Sequence, residues 1–445
     1  MSEASSKTDS ESDSQEGSGL AIASGLSTLP DPVDAASQAA GMLKEALNGS
    51  VDLVIGFITP PFAQRVGMIA DAIRDQVSPK HLLLVSASGI MSGDHEILGR
   101  PAISLMGMVL PGVEMHPYVF DATLGSMDPL ERAAKVSHAI GSSETMAASF
   151  FFADPFSVPL VNLVPALSAS RVQYTDQHKN LHRIGTILGG MASAATEPGG
   201  NTLFLDGQIR NFGAIGITLS GNLQVDTLVS QGCRPIGAPM VVTKARGNLI
   251  LELSGMPAIE AIRESLQGIG EDDRELLDQG LLIGRVINEQ QSRFGRGDFL
   301  IRNIMGGDEE SGAIAIADLV QAGQTIQPHL HDERTAREDL SLLLDGQRLY
   351  DRPAGAMVIS CTGRTQEFFG QPAHDARAIR HAFDPPIDGA KLAKAGRELN
   401  APDQGIPLAG MFAAGEIGPV GETIFQHGHT IVAAMFREPE QMDIR

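Results

Sequence analysis

The sequence predicts a mixed α/β protein of the α+β class, in two domains whose largely antiparallel or mixed sheets are flanked by helices. Three observations lead there. Short apolar runs of strand length alternate with stretches of helical period. Pairs of such runs, broken by glycine or proline, recur along the chain as antiparallel neighbours do. No G-x-G-x-x-G follows a strand, so a strictly alternating dinucleotide-binding plan has no anchor.

Residues 1–19 are acidic, serine-rich and poor in apolar side chains, and are expected to form a disordered tail. DPVDAASQAAGMLKEALNG reads as a helix with Asp31 as N-cap and Pro32 at its first position. VDLVIGFIT has strand character, AQRVGMIADAIRDQ returns to a helical period, and HLLLVSASGIM is a second buried strand ending in a small-residue turn. PAISLMGMVLPGVEMHPYVF reads as a hairpin across a Pro-Gly break. FGAIGITLSGNLQVDTLVS repeats the plan across Ser-Gly-Asn, and SGAIAIADLVQAGQTIQPHL repeats it again. The openings at Gly213 and Gly312 echo each other; a duplicated sheet unit and chance similarity both account for that. TKARGN (243–248) marks the clearest break, dividing an N-terminal domain at 20–245 from a C-terminal one at 246–437, with a tail at 438–445. In the second domain PAIEAIRESLQ and DERTAREDLSLLLDG read as surface helices, GAMVISCTG and LAGMFAAG as buried strands.

Composition narrows the function classes. The chain has 445 residues, 42% of them hydrophobic and 20% charged, enough to bury a real core. A net charge of −21 repels nucleic-acid backbones and anionic membranes, so neither is expected as a partner. Two cysteines, Cys233 and Cys361, make no disulfide framework and suit a reducing compartment. The N-terminus lacks the basic and apolar regions of a secretory signal, and no apolar run approaches the ~18 residues of a membrane span. A cytoplasmic location is the expectation.

Candidate chemistry gathers in the C-terminal half. GCRPIGAP (232–239) has phosphate-loop glycine spacing but lacks the Lys and Ser/Thr, so it reads as a turn carrying Arg234. His329 with His331, and His427 with His429, form two H-x-H pairs; whether they meet is not legible, and no metal or cofactor is assigned. Cys361 ends an apolar strand before Thr362, Gly363 and Arg364, and is either a small buried hydrophobe or a nucleophile helped by His427. Arg364 offers a bidentate fork to a ligand carboxylate, or a structural ion pair to Glu367. In GEIGPVGETIFQHGHT (415–430), Gly415, Gly418 and Gly421 read as an open loop with free N–H groups, beside Glu416 and Glu422. That mixture of charges suits a zwitterion, with Glu416 for an ammonium and Arg364 for a carboxylate.

The GEIGPVG stretch followed by His-Gly resembles the C-terminal signature of the FIST domain family. CTGRTQEFFG with HDARAIR downstream, DFLIRNIMGGDEESGAIAIADLVQAGQTIQ, GGMASA, NTLFLDG, VSQGCRPIGAP and ILELSGMPAIE are similar to other family elements in the same order, over about residues 20–437. Thr362 stands where the family usually has Asn, and Glu422 where it often has a second glycine. The resemblance implies a FIST N and FIST C sensory protein that binds a small polar ligand such as an amino acid, with no established catalysis. Family members often carry signalling modules; none is read in this chain, which implies a separate signalling partner. The expected ligand-binding residues are Cys361, Thr362, Arg364, Glu416, Gly418, Gly421 and His427. A Cys361–His427 hydrolase or transferase and a pure interaction scaffold remain as alternatives.

Overall fold

In the computed structural model the described residues are 19–49, 51–121, 127–291, 293–384 and 405–439. The tails expected at 1–19 and 438–445 lie outside them, apart from Gly19, Glu438 and Pro439. Local signals act as the sequence suggests. Asp31 caps the helix Pro32–Ala46, its Oδ1 accepting from the Val33 and Asp34 amides at 2.9 and 3.0 Å. The buried face of that helix is Ala35, Ala36, Ala39, Ala40 and Leu43. Four alanines let it lie close on the strand Ala21–Ser27, where a methyl at Gly25 would collide with the Ala39 carbonyl oxygen.

Three times the chain runs edge strand, helix, central strand, helix, parallel strand, hairpin and returning strand. The strands and outer helices of the first unit are Ala21–Ser27, Pro32–Ala46, Leu53–Ile58, Val66–Val77 and His81–Ser86, then the hairpin Gly89–Ser92/His95–Leu98 and Ile103–Val109. The second is Val113–Phe120, Pro129–Ala139, Met146–Ala153, Leu160–Ala169, Thr186–Met191, Leu203–Leu205/Gln208–Arg210 and Ala214–Gly221. The third is Gln224–Gln231, Glu333–Gln347, Gly355–Cys361, His374–Arg380, Leu408–Ala413, Glu416–Val420/Thr423–His427 and Thr430–Arg437. Each unit builds one mixed sheet with the same pairing, edge to returning strand to central strand antiparallel, then central to next strand parallel. The parallel pairs are buried on both faces, hence their unbroken apolar runs.

The hairpins are exchanged in a ring. That of the first unit extends the third sheet, that of the second extends the first, and that of the third extends the second. Alternate side chains of all three sheets, among them Phe57, Phe150, Phe152, Ile359 and Met411, meet in one central core. The opposite faces are covered by each unit's own helices. Residues 233–331 are inserted in the third unit, between its edge strand and its first helix. They contain an eight-stranded sheet, the helices Ala258–Ser265 and Glu271–Leu277, and a core of their own around Val242, Ile250, Ile283 and Ile326. The result is an α+β molecule with a two-part arrangement.

Three hairpin readings need correction. The strands on either side of the Pro-Gly break lie in the first and second sheets, and those around Ser-Gly-Asn in the second and third. These breaks are junctions between units, where a tight turn passes the chain to the next sheet. Ala313–Ile316 and Thr325–His331 share the inserted sheet without being neighbours. A turn signal is local, whereas the choice of partner strand is made across the core. Gly213 and Gly312 both have positive φ, at 76° and 67°, but the strands they precede, Ala214–Gly221 and Ala313–Ile316, belong to different sheets. Residue 245 lies in the strand Met240–Arg246, and strands from both sides of it share the second and third sheets. Among the described residues no helix is long and apolar enough to cross a membrane.

Candidate functional site

In sheets with parallel strands, ligands commonly sit beyond the carboxyl ends of those strands. The strand Gly355–Cys361 ends at such a place, and its parallel neighbour Leu408–Ala413 leads into Glu416. The Thr362 amide donates to the Ala413 carbonyl at 3.2 Å, and the Arg364 amide closes a turn on the Cys361 carbonyl at 2.9 Å. That turn drives the Arg364 side chain inward until it is fully buried. Its Nε and Nη2 donate to Asp375 Oδ2 and Oδ1 at 2.8 and 3.0 Å, with the Phe369 ring 5.2 Å from the guanidinium carbon. Burial alone would push both groups toward neutrality. Mutual attraction outweighs it, raising the pKa of Arg364 and lowering that of Asp375. The ion-pair partner of Arg364 is thus Asp375 of HDARAIR and not Glu367.

This pair leaves Arg364 Nη1 buried and without a partner among the described residues. Around it stand other buried polar atoms in the same condition: both carboxyl oxygens of Glu416, Nε2 of His331 and Nδ1 of His429. Burial pushes the Glu416 carboxyl well above its usual range, although the charge of Arg364 pulls it partly back. Burial, and next the adjacent Glu416, push the Cys361 thiol up to about 12. His331 and His429 are driven down to about 3 and about 4, chiefly by burial, so both rings are neutral near pH 7. Their centroids are 4.7 Å apart, and His331 stacks on Phe368 at 3.8 Å. His429 has φ 57°, a left-handed conformation unusual outside glycine, and its Nε2 meets Asn303 Oδ1 at 2.9 Å.

Two glycines leave room between these groups. A methyl at Gly232 would lie 2.7 Å from Arg364 Nη1 and 3.0 Å from His331 Nε2. One at Gly363 would face His429 Nδ1 at 3.8 Å, His331 Cε1 at 3.9 Å and Cys361 Sγ at 4.0 Å. The arrangement offers one guanidinium donor, one carboxyl whose pKa is raised, two neutral imidazoles and a thiol.

Of the residues expected from the sequence, Cys361, Arg364 and Glu416 come together, and Thr362 lies exposed at the rim. His427 does not join them. It is buried, its Nε2 engages the Gly418 carbonyl at 3.1 Å, and no Cys361–His427 pair is formed. GEIGPVGETIFQH is a hairpin and not an open loop, so the N–H groups of its strands serve the ladder instead of cradling an anion. Gly418 admits close packing of Val432 and Val229, and Gly421 supplies φ 57° at the hairpin turn. Glu422 accepts from the Arg183 amide at 2.9 Å. Asp375, His331 and His429 were the residues missed. The signal for the histidines was present, since each is the second member of an H-x-H pair, and the two pairs meet through those members alone. Among the described residues no three His, Cys, Asp or Glu side chains are grouped to hold a metal ion.

Comparison with known proteins gives two family matches, the FIST N domain over residues 52–256 and the FIST C domain over residues 258–419. An uncharacterised protein of Mycobacterium tuberculosis is 33% identical over 423 residues, covering 94% of this chain and 100% of that protein. An uncharacterised protein of Mycobacterium bovis is 32% identical over 427 residues, covering 94% and 99% respectively. A solved cyanuric acid hydrolase from A. caulinodans aligns over 94% of this chain and 99% of its own at 9% identity, with a TM-score of 0.29, too low to carry an argument.

Proposed function

Because the chain belongs to the family of paired FIST N and FIST C domains, we propose that it is a sensory protein that binds a small polar metabolite, such as an amino acid, at the Arg364–Glu416 cluster. The observation carrying this reading is the group of buried polar atoms on Arg364, Glu416, His331 and His429 that lack partners among the described residues. A buried group left unpaired costs about 1–3 kcal/mol, and a ligand that satisfies several recovers that energy on binding. Arg364 Nη1 would donate to a ligand carboxylate. An ammonium beside Glu416 would stabilise its ionised form and release its proton. A separate signalling protein would read the occupied state.

Titration calorimetry with free amino acids, in buffers of different ionisation heat, tests the reading. Binding is expected to release a proton, and the release should vanish in Glu416→Gln. Gly232→Ala should weaken binding by filling the space beside Arg364 and His331. A folded chain that gives no heat with any of them, and retains no small molecule in native mass spectrometry, would defeat it.

A further inference from the structure

A cleft of about 700 Å³, sharing no lining residue with that cluster, opens between the helix Leu160–Ala169, the strand Thr423–His427 and the inserted sheet. Val161, Val164, Leu300, Leu319 and Phe425 make its walls mostly apolar. Its polar feature is a pair of arginines sharing one carboxylate. Asp318 Oδ2 accepts from Arg285 Nε and Nη2 at 3.1 and 3.0 Å and from Arg302 Nε at 2.9 Å, while Oδ1 accepts from the Leu319 amide at 2.8 Å. Arg302 Nη1 is tied to the carbonyls of Ile301 and Gln426 at 2.9 and 3.1 Å. Arg285 Nη1 and Arg302 Nη2 make no hydrogen bond among the described residues.

Two guanidiniums against one carboxylate leave a net positive charge, in a chain whose overall charge is −21. Asp318 has both oxygens engaged and cannot neutralise the second arginine. A volume of this size suits a small molecule, and the planar donors of arginine match a carboxylate. We propose that this cleft is a second ligand site, taking a small amphipathic carboxylate whose apolar body lies against Val161, Leu319 and Phe425 and whose head meets Arg285 and Arg302. The site is independent of the Arg364–Glu416 cluster and fails or stands separately from it.

Calorimetry on the full chain with octanoate, and with octan-1-ol as the uncharged counterpart, tests the proposal. Octanoate should bind one per chain and octanol markedly less. Arg285→Met should weaken octanoate about tenfold, the effect of losing one charge-assisted contact of about 1.4 kcal/mol. Leu319→Glu, at a position 53% exposed, should abolish it by placing a negative charge at the mouth. Glu416→Gln should leave it unchanged. Each variant is first shown folded by circular dichroism. Should Arg285→Met not fold, Arg285→Lys and Leu319→Glu decide the matter. The proposal is overturned if octanoate gives no heat near about 1 mM. Equal affinity for octanol would also overturn it, as would octanoate affinity that survives both the Arg285 and Leu319 substitutions. A concentration-dependent dimer by light scattering, lost in Leu319→Glu, would assign the cleft to a second copy of the chain instead.

Discussion

Glu416 holds the clearest residue-scale consequence. Its pKa is raised in the fold above the ordinary 4.5, so the folded chain binds a proton the unfolded chain has released. The stability it contributes is therefore complete below about pH 4.5 and is lost as pH rises toward its raised value, by up to about 1.4 kcal/mol per pH unit. Urea unfolding should show Glu416→Gln gaining stability relative to the parent as pH rises above about 4.5. Equal changes in both proteins would mean that Glu416 is ionised in the fold. Cys361 gives a second expectation. With its pKa at about 12, its thiolate fraction at pH 8 is about a thousandfold below that of a free cysteine. Iodoacetamide should therefore label Cys361 orders of magnitude more slowly in the folded chain than in urea, as followed by mass spectrometry. Fast stoichiometric labelling in the fold would revive the nucleophile reading.

Elements were legible where short-range chemistry decides them. The Asp31 cap, the apolar strands Leu53–Ile58 and His81–Ser86, and the helix Val66–Val77 all follow from residues within one turn or one strand. Strand partners did not follow, because period-two patterning says which face is buried and not which sheet receives it. The helix Leu160–Ala169 escaped notice: Pro165 lies inside it, and its run of Leu and Val reads equally as strand. Packing between elements yields a prediction at Gly25. Gly25→Ala should push the strand Ala21–Ser27 off the helix Pro32–Ala46 and cost about 1–3 kcal/mol, read as a lower urea midpoint. An unchanged midpoint would show that the helix can shift freely.

The whole molecule is locked by the ring of exchanged hairpins. Without Glu416–His427 the strand Thr186–Met191 would lose one of its two neighbours and present an apolar edge, and Leu408–Ala413 depends likewise on Gly89–Ser92 from the first unit. Residues 1–256 and 257–445, expressed separately, should therefore aggregate, and co-expression should recover a soluble pair. A monodisperse fragment on size exclusion would contradict the interlock. The same closure makes the candidate site. Arg364, Glu416 and His429 come from successive parts of the third unit, but Gly232 immediately precedes the insertion and His331 is its last residue.

From the residues alone came the α+β class, the family resemblance, the Asp31 cap and several central strands, together with Cys361, Arg364 and Glu416 as a set. All of these depend on neighbours along the chain or on motifs read in order. Only the folded chain decided that Asp375 holds Arg364, that His331 and His429 replace His427, and that the glycine-rich stretch is a paired hairpin. Ion pairs and burial depend on which distant segments share a sheet end, and in this protein that choice is made by three units closing on one another.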